Sequence, residues 1–195
     1  MHGHTATQPA PNVTEDRAAP WTLESLARLS SGALEVIFAA GSSDADLSRL
    51  SGHPHGRVLA VPALRARPLA FAVRWLASTP LILWEGKSFQ AAPGASRGRG
   101  ANRATLGGRA ALFPFRTTSE ASVVDGAPCI AISYDVPRNP RVMRPIYDEL
   151  RLVAPDLYLG RGTYRRPGHA ARLLMWFALD AAQQDGPLAL PVPRD

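Results

Sequence analysis

The sequence predicts an α+β protein, a small antiparallel β-barrel with N-terminal helices and one inserted helix. A series of apolar segments of strand length, separated by glycine, proline and polar turns, is typical of a small barrel. Within 127–136, Ile130, Ile132 and Tyr134 recur with a period of two, as in a strand with unlike faces. The predicted strands are 56–62, 81–91, 111–118, 127–136, 156–165 and 171–181, with a shorter one at 101–106.

The last segment, 171–181, is apolar on both faces, which is the third observation in favour of a barrel. Met175 and Phe177 fall on one face, and Trp176 and Ala178 on the other. Such a strand needs a cover on each side, and a helix can cover the outside. The inside is then either a filled core or an apolar cavity, since barrels of this size can hold one ligand. The residues leave both alternatives open.

Helices are predicted before and after the first strand. Thr22 is a suitable N-cap for a helix over 23–31, and glycines end this helix and the next one, 33–40. A third helix is predicted over 64–78, because its apolar residues recur at helical spacing.

The inserted helix is predicted over about 140–150. Asn139, directly before a proline, is a good N-cap, and apolar residues follow at every fourth position. Arg144 and Asp148 are also four residues apart, a spacing that permits an ion pair on a helix. With Glu149, they are expected to form a structural ion network that ties the helix to the sheet.

A chain of 195 residues is expected to form one main domain. Residues 1–20 are rich in small residues and proline, and we predict a disordered N-terminal lead there. Residues 21–184 are predicted to form a single barrel domain with N-terminal helices. Residues 185–195 form a proline-rich tail.

Charge and composition argue against two classes of partner. The net charge is +6, but the arginines are scattered and lack the interleaved aromatic residues of a base-stacking surface, so no nucleic acid is expected. No apolar run approaches the ~18 residues of a membrane span, and the N-terminus lacks the apolar region of a secretion signal. A single cysteine, Cys129, suits a reducing compartment, so a cytoplasmic protein is expected. The oligomeric state stays open.

The chain contains, in this order, the blocks WEGKSF, ANR, FPFR, YDVPRNPRVMRPIYDEL and LYLG. This order resembles a group of actinobacterial proteins with lipocalin-like, or calycin-like, barrels. It is more distantly similar to the domain family named for a Gly-x-Trp-x-Gly motif: Trp84, Gly86 and Lys87 match the end of that motif, and Ile82 stands at its first glycine. The resemblance covers about 56–180. It implies a lipocalin-like barrel with a small-molecule pocket, and no particular reaction.

Tyr134 and Asp135 are the first candidate catalytic residues, because they end a predicted strand at the inserted helix. Pro137 cannot donate to a β-ladder, so the strand stops there. The alternation places the two side chains on opposite faces. A desolvated carboxylate at this position could act as a general base or hold a substrate hydroxyl. The alternative is that Asp135 pairs with a nearby arginine or caps the turn.

Lys87 is the third catalytic candidate and the only lysine among 22 basic residues. It could be a buried cation, a Schiff-base amine or an oxyanion partner. Alternatively, its stem covers apolar surface and its ammonium reaches water. Strict alternation places Lys87 and Trp84 on opposite faces, unless Gly86 forms a bulge that resets the alternation.

Further residues are candidates for substrate binding. An inward Arg116 could bind an anion or a carbonyl, and Arg144 could face the barrel mouth. Tyr158 and Tyr164 share a face with two glycines, which suits either a flat hydrophobic ligand or close packing. The complete set is Trp84, Arg116, Arg144, Tyr158, Tyr164 and Trp176.

No metal and no cofactor are expected. His53 and His55 are close in sequence but lack a nearby third ligand, whereas a zinc site needs three or four. No glycine-rich segment matches a phosphate-binding fingerprint.

These observations favour a protein with an apolar cavity and a few polar anchors, which binds a hydrophobic small molecule. The enzymatic interpretation is a cofactor-free cyclase or isomerase of specialised metabolism, acting on a hydrophobic, polyketide-like substrate held by the residues above. The alternative is a binding or carrier protein that uses the same cavity without turnover. An accessory subunit that binds a protein partner through its arginine-rich surface is a third interpretation.

Overall fold

The computed structural model describes residues 21–43, 46–62, 84–105 and 109–186. The predicted N-terminal lead, the predicted helix 64–78 and most of the predicted tail lie outside the described residues. The division into a lead, a barrel domain and a tail therefore stays a prediction.

Eight antiparallel strands form a closed barrel, which confirms the predicted fold class. Each strand pairs with the next, and the last pairs with the first, so no strand of the barrel has a free edge. The strands are β1 (Pro54–Ala60), β2 (Trp84–Gln90), β3 (Arg97–Thr105), β4 (Arg109–Ala121), β5 (Pro128–Ser133), β6 (Ile146–Ala154), β7 (Leu157–Tyr164) and β8 (Arg172–Gln184).

Two short helices precede the barrel, α1 (Leu23–Ala27) and α2 (Ser31–Ala40), followed by a 3-10 turn, Leu47–Leu50. Thr22 caps α1 as predicted: its side chain accepts a hydrogen bond from the Ser25 backbone, and the Ser25 side chain accepts one from the Thr22 backbone. No helix among the described residues is long and apolar enough to cross a membrane.

The apolar side chains of the last strand divide between two clusters. Phe177 and Leu179 point into the barrel interior. Trp176 and Ala178 point outward and pack against Leu26, Leu34 and Phe38 of the helices. The helices thus provide the outer cover that a strand with two apolar faces needs.

The predicted inserted helix is wrong. After β5 the chain makes turns up to Pro145, and residues 146–154 form the strand β6. The prediction failed because apolar residues at every fourth position satisfy a period of two as well as a helical period. Proline at 145 also favours an extended segment over a continuous helix. Asp148 therefore pairs not with Arg144 but with a lysine across the barrel.

Candidate functional site

The barrel interior contains a mostly apolar cavity with a polar floor. The cavity measures about 70 Å³, which is room for several water-sized groups or a small organic molecule. Strands β1, β2, β3, β4, β6 and β8 contribute side chains to its wall. The lining residues are Val58, Trp84, Lys87, Asn102, Ala104, Leu112, Phe113, Tyr134, Met143, Ile146, Asp148, Met175 and Phe177.

Lys87 is the centre of the polar floor, and only 2% of its surface is exposed. Its Nζ lies 3.0 Å from Asp148 Oδ2 and donates a hydrogen bond of 2.8 Å to Asn102 Oδ1. It also donates to the Tyr134 hydroxyl. The ammonium lies 4.9 Å from the centre of the Phe177 ring, within the range of a cation–π contact.

The partners of Lys87 also bond to one another. The Tyr134 hydroxyl donates to Asp148 Oδ2 at 3.0 Å and accepts from Asn102 Nδ2 at 3.1 Å. The Trp84 indole donates to Asn102 Oδ1 at 3.1 Å. Five side chains from β2, β3, β6 and the end of β5 therefore form one connected network, which we call the polar floor.

Burial sets the protonation of this network. Desolvation lowers the pKa of the Lys87 ammonium, and the neighbouring Asp148 carboxylate opposes that change. Desolvation and the same carboxylate raise the pKa of the Tyr134 phenol well above its usual value. The phenol therefore keeps its proton at neutral pH and acts as a hydrogen-bond donor.

Gly86 explains why Trp84 and Lys87 both face the cavity. The pairing of β2 with β3 shifts register between Trp84 and Gly86, and Gly86 has a φ of 135°. A Cβ at this position would lie 2.5 Å from the Pro54 carbonyl oxygen. The bulge that glycine permits resets the alternation of the strand and turns Lys87 inward.

A buried asparagine fixes the segment that carries Tyr134. The Asn139 side chain donates to the Tyr134 carbonyl at 2.8 Å and to the Pro114 carbonyl at 2.8 Å. These two bonds connect the end of β5 to β4 and hold the Tyr134 phenol in its place within the polar floor. Sequence analysis assigned Asn139 only a helix cap.

Two glycines in β7 make room for the cavity wall. A Cβ at Gly160 would lie 2.3 Å from the Phe177 ring, and one at Gly162 would lie 3.1 Å from Asp148 Oδ1. The space between Tyr158 and Tyr164 is thus occupied by the protein's own side chains and not by a flat ligand.

The structure brings three of the nine candidate residues into the cavity, namely Trp84, Lys87 and Tyr134. Tyr158 and Tyr164 share the inward face, but Tyr158 is part of the packed core and Tyr164 packs against Leu174.

The other four candidates lie on the outside of the barrel. Asp135 and Arg116 are exposed, on the opposite face from their neighbours in sequence, Tyr134 and Phe115. Their positions do not permit contact with a ligand in the cavity. Trp176 lies under α2, where its indole donates to Ser31 Oγ at 2.8 Å.

Arg144 is engaged with the backbone of its own loop. Its guanidinium donates to the Asn139 and Pro137 carbonyls at 3.1 and 2.7 Å. It also lines a cleft on the outside of the barrel. Asp135 and residues of the β7–β8 hairpin, including Arg165, line the same cleft.

Sequence analysis missed two members of the polar floor, Asn102 and Asp148. Asp148 was assigned to a helix surface. A period-two interpretation of 146–152 would have found it, because Ile146, Asp148, Leu150 and Leu152 alternate with residues that point outward. Asn102 carries no comparable signal, since its segment is rich in glycine and arginine.

His53 and His55 each contact a polar side chain. His53 Nδ1 lies 2.9 Å from Ser88 Oγ, and His55 Nδ1 lies 3.1 Å from Asp185 Oδ1. Among the described residues, no group of three or more histidine, cysteine or acidic side chains is arranged to hold a metal ion.

The sequence matches no protein-family model and no curated protein. A search of solved structures finds similarity to the crystal structure of a protein from Thermomonospora curvata, with 18% identity and a TM-score of 0.45. The match covers 78% of this chain and 87% of that chain. The relation to the actinobacterial barrel proteins and to the Gly-x-Trp-x-Gly family stays a prediction.

Proposed function

We propose that the protein binds a small, mainly apolar molecule inside the barrel, with one polar group of that molecule against the polar floor. The observation that carries the proposal is a lysine–aspartate pair buried beneath an apolar cavity. Burying two charges costs several kcal/mol per ion before their attraction is counted. A filled apolar core would avoid this cost, whereas a ligand site uses it to orient a polar group.

The cavity also limits the size of the ligand. A space of about 70 Å³ holds a small molecule or one end of a larger one, and not a whole polyketide-like chain. The ligand should carry a small polar group that can exchange hydrogen bonds with the polar floor, in which Lys87, Tyr134 and Trp84 donate to Asn102 and Asp148.

Native mass spectrometry of the purified protein, followed by solvent extraction, tests this proposal. We expect a stoichiometric small apolar molecule, or uptake of one from a panel of apolar carbonyl compounds. Ala104→Leu adds a larger side chain to the cavity wall and so reduces the cavity volume. This should weaken ligand binding about tenfold or more, because less apolar surface of the ligand can then be buried. Ala40→Leu, on the exposed end of α2, is the matched control. Equal affinity in both variants would contradict binding inside the barrel.

A second candidate function is a cofactor-free isomerase or cyclase in the same cavity. It is favoured by the Tyr134 hydroxyl, which lies between Lys87 and Asp148 and could carry a proton between a substrate and the pair. Asp148 would take the role of the cavity carboxylate that sequence analysis gave to Asp135.

Exchange of solvent deuterium into the α-carbon of bound carbonyl compounds separates catalysis from carriage. In an enzyme, Asp148→Asn should slow the exchange about a hundredfold or more, as for the loss of a general base. Asp135→Asn, on the outer surface, should leave the exchange rate unchanged. If deuterium exchange in the presence of the unaltered protein is no faster than the uncatalysed exchange, the protein is a carrier and not an enzyme.

A further inference from the structure

Lys87 differs in type from every other basic residue of the chain, and among the described residues it is the basic residue that lines the cavity. It is the only lysine, and it lies in the cavity with 2% of its surface exposed. Arginine keeps its charge in proteins and is a poor nucleophile, whereas a desolvated lysine can lose its proton and attack a carbonyl carbon. Lys87 is therefore the basic residue of the cavity whose side chain can act as a nucleophile.

We propose that Lys87 forms a reversible imine with the carbonyl group of a small apolar aldehyde or ketone bound in the cavity. This inference rests on the proposed function, because it requires that a ligand enters the barrel. It adds the chemical class of the ligand and a covalent step at a named atom.

The groups around Nζ supply what the step needs. Asp148 on β6 is the proton acceptor at 3.0 Å. The Tyr134 hydroxyl accepts from Nζ and donates to Asp148, and Asn102 on β3 accepts from Nζ as a neutral group. Approach of a carbonyl carbon requires Nζ to give up one of its hydrogen bonds, and the Tyr134 hydroxyl keeps its bonds to Asp148 and Asn102 when the one from Nζ breaks. The desolvation that lowers the pKa of Lys87 favours the neutral amine.

The step balances without any further reactant. The ammonium of Lys87 gives one proton to Asp148, and the lone pair of Nζ attacks the carbonyl carbon. A proton moves from nitrogen to the former carbonyl oxygen, which gives a neutral carbinolamine. Asp148 returns its proton through Tyr134 to that hydroxyl, the carbon–oxygen bond breaks, and water leaves. The product is a protonated imine whose positive charge again pairs with the Asp148 carboxylate.

Reductive trapping tests the proposal on the intact protein. The protein is incubated at pH 7 with butanal and sodium cyanoborohydride, which delivers hydride to an imine carbon and leaves a stable butylamine. Peptide mapping then separates modification of Lys87 from modification of the α-amino group of the chain. We expect one butyl group on Lys87, with a rate that saturates as the butanal concentration rises.

The variant Arg166→Lys provides an internal control, because it places a second lysine on the exposed β7–β8 hairpin without changing the cavity. An exposed lysine has about one neutral amine in a thousand at pH 7. Lys87 should be labelled about tenfold faster than the exposed lysine or more, because the cavity holds the bound carbonyl beside Nζ and desolvation favours the neutral amine. Glyoxylate carries a carboxylate, and moving this charge into a mostly apolar cavity is unfavourable. Glyoxylate should therefore not label Lys87 faster than the exposed lysine.

Labelling of Lys87 at or below the rate of the exposed lysine would overturn the imine. Uptake of apolar ligands by native mass spectrometry would then still stand as a separate result, since it needs no covalent bond. Faster labelling of Lys87 that Ala104→Leu abolishes would support the imine and locate it in the cavity.

Discussion

Lys87 and Asp148 form an ion pair inside the barrel. Each is almost fully buried, and each is the other's charged partner within the polar floor. Removing one member of such a pair leaves an uncompensated charge in an apolar site, whereas replacing both with neutral groups often costs little.

A double-mutant cycle on this pair is the first prediction. Lys87→Met alone should lower the free energy of unfolding by about 3–5 kcal/mol, because Asp148 is then buried without a charged partner. Lys87→Met combined with Asp148→Asn should lose clearly less than the sum of the two single variants. Urea unfolding at neutral pH measures all four proteins. Additive losses would show that the two charges do not stabilise each other.

At the scale of single elements, glycines decide how close a strand can approach a side chain of its neighbour. Gly160 on β7 lies directly against the ring of Phe177 on β8, which forms part of the cavity wall and contacts the Lys87 ammonium. The geometry of this one strand pair therefore affects both the packing of the barrel and the shape of the cavity.

Gly160→Ala is accordingly expected to destabilise the protein by about 1–3 kcal/mol, because the added methyl group overpacks the interior. It should also weaken ligand binding, since the Phe177 ring must move. Gly32→Ala is the matched control: nothing lies within 4 Å of the added Cβ, and alanine in an exposed helix should stabilise by up to about 1 kcal/mol. Thermal unfolding compares the two, and equal effects would contradict the close packing at Gly160.

At the scale of the whole molecule, barrel closure and the outer helices protect the strands from solvent. Phe38 of α2 packs edge-to-face on Trp176. The guanidinium groups of Arg151 and Arg161 each lie 4.5 Å from the centre of the Phe38 ring. These contacts join the helix to strands β6, β7 and β8. Because every strand is paired on both sides, exposure of a buried strand atom requires the barrel to open.

The thiol of Cys129 on β5 reports such opening. It is fully buried, and burial raises its pKa to about 12, so the native thiol is protonated and unreactive. At pH 8, a thiol-specific reagent should modify the native protein about a thousandfold more slowly than the urea-unfolded chain, as expected for a stably folded domain. The rate should rise with urea in parallel with global unfolding. Rapid modification without urea would reveal local opening at β5.

The sequence by itself determined seven of the eight strands, all but β6, and which neighbours within a strand face opposite sides, since side-chain alternation is a local property of extended backbone. It therefore separated Tyr134 from Asp135 and Phe115 from Arg116. It could not determine which face is the interior in a strand that is apolar on both sides, and Trp176 was assigned to the cavity although it lies under a helix.

Only the tertiary structure decided the composition of the polar floor. Lys87 turns inward because of a bulge at Gly86, and Asp148 reaches it because 146–154 is a strand rather than part of a helix. Apolar spacing of four residues fits both periods, so local pattern alone could not choose between them. Barrel closure then brings together side chains that are 47 or more positions apart in the chain, such as those of Lys87 and Tyr134. Contacts of that kind depend on strand register across the whole barrel, which no short segment specifies.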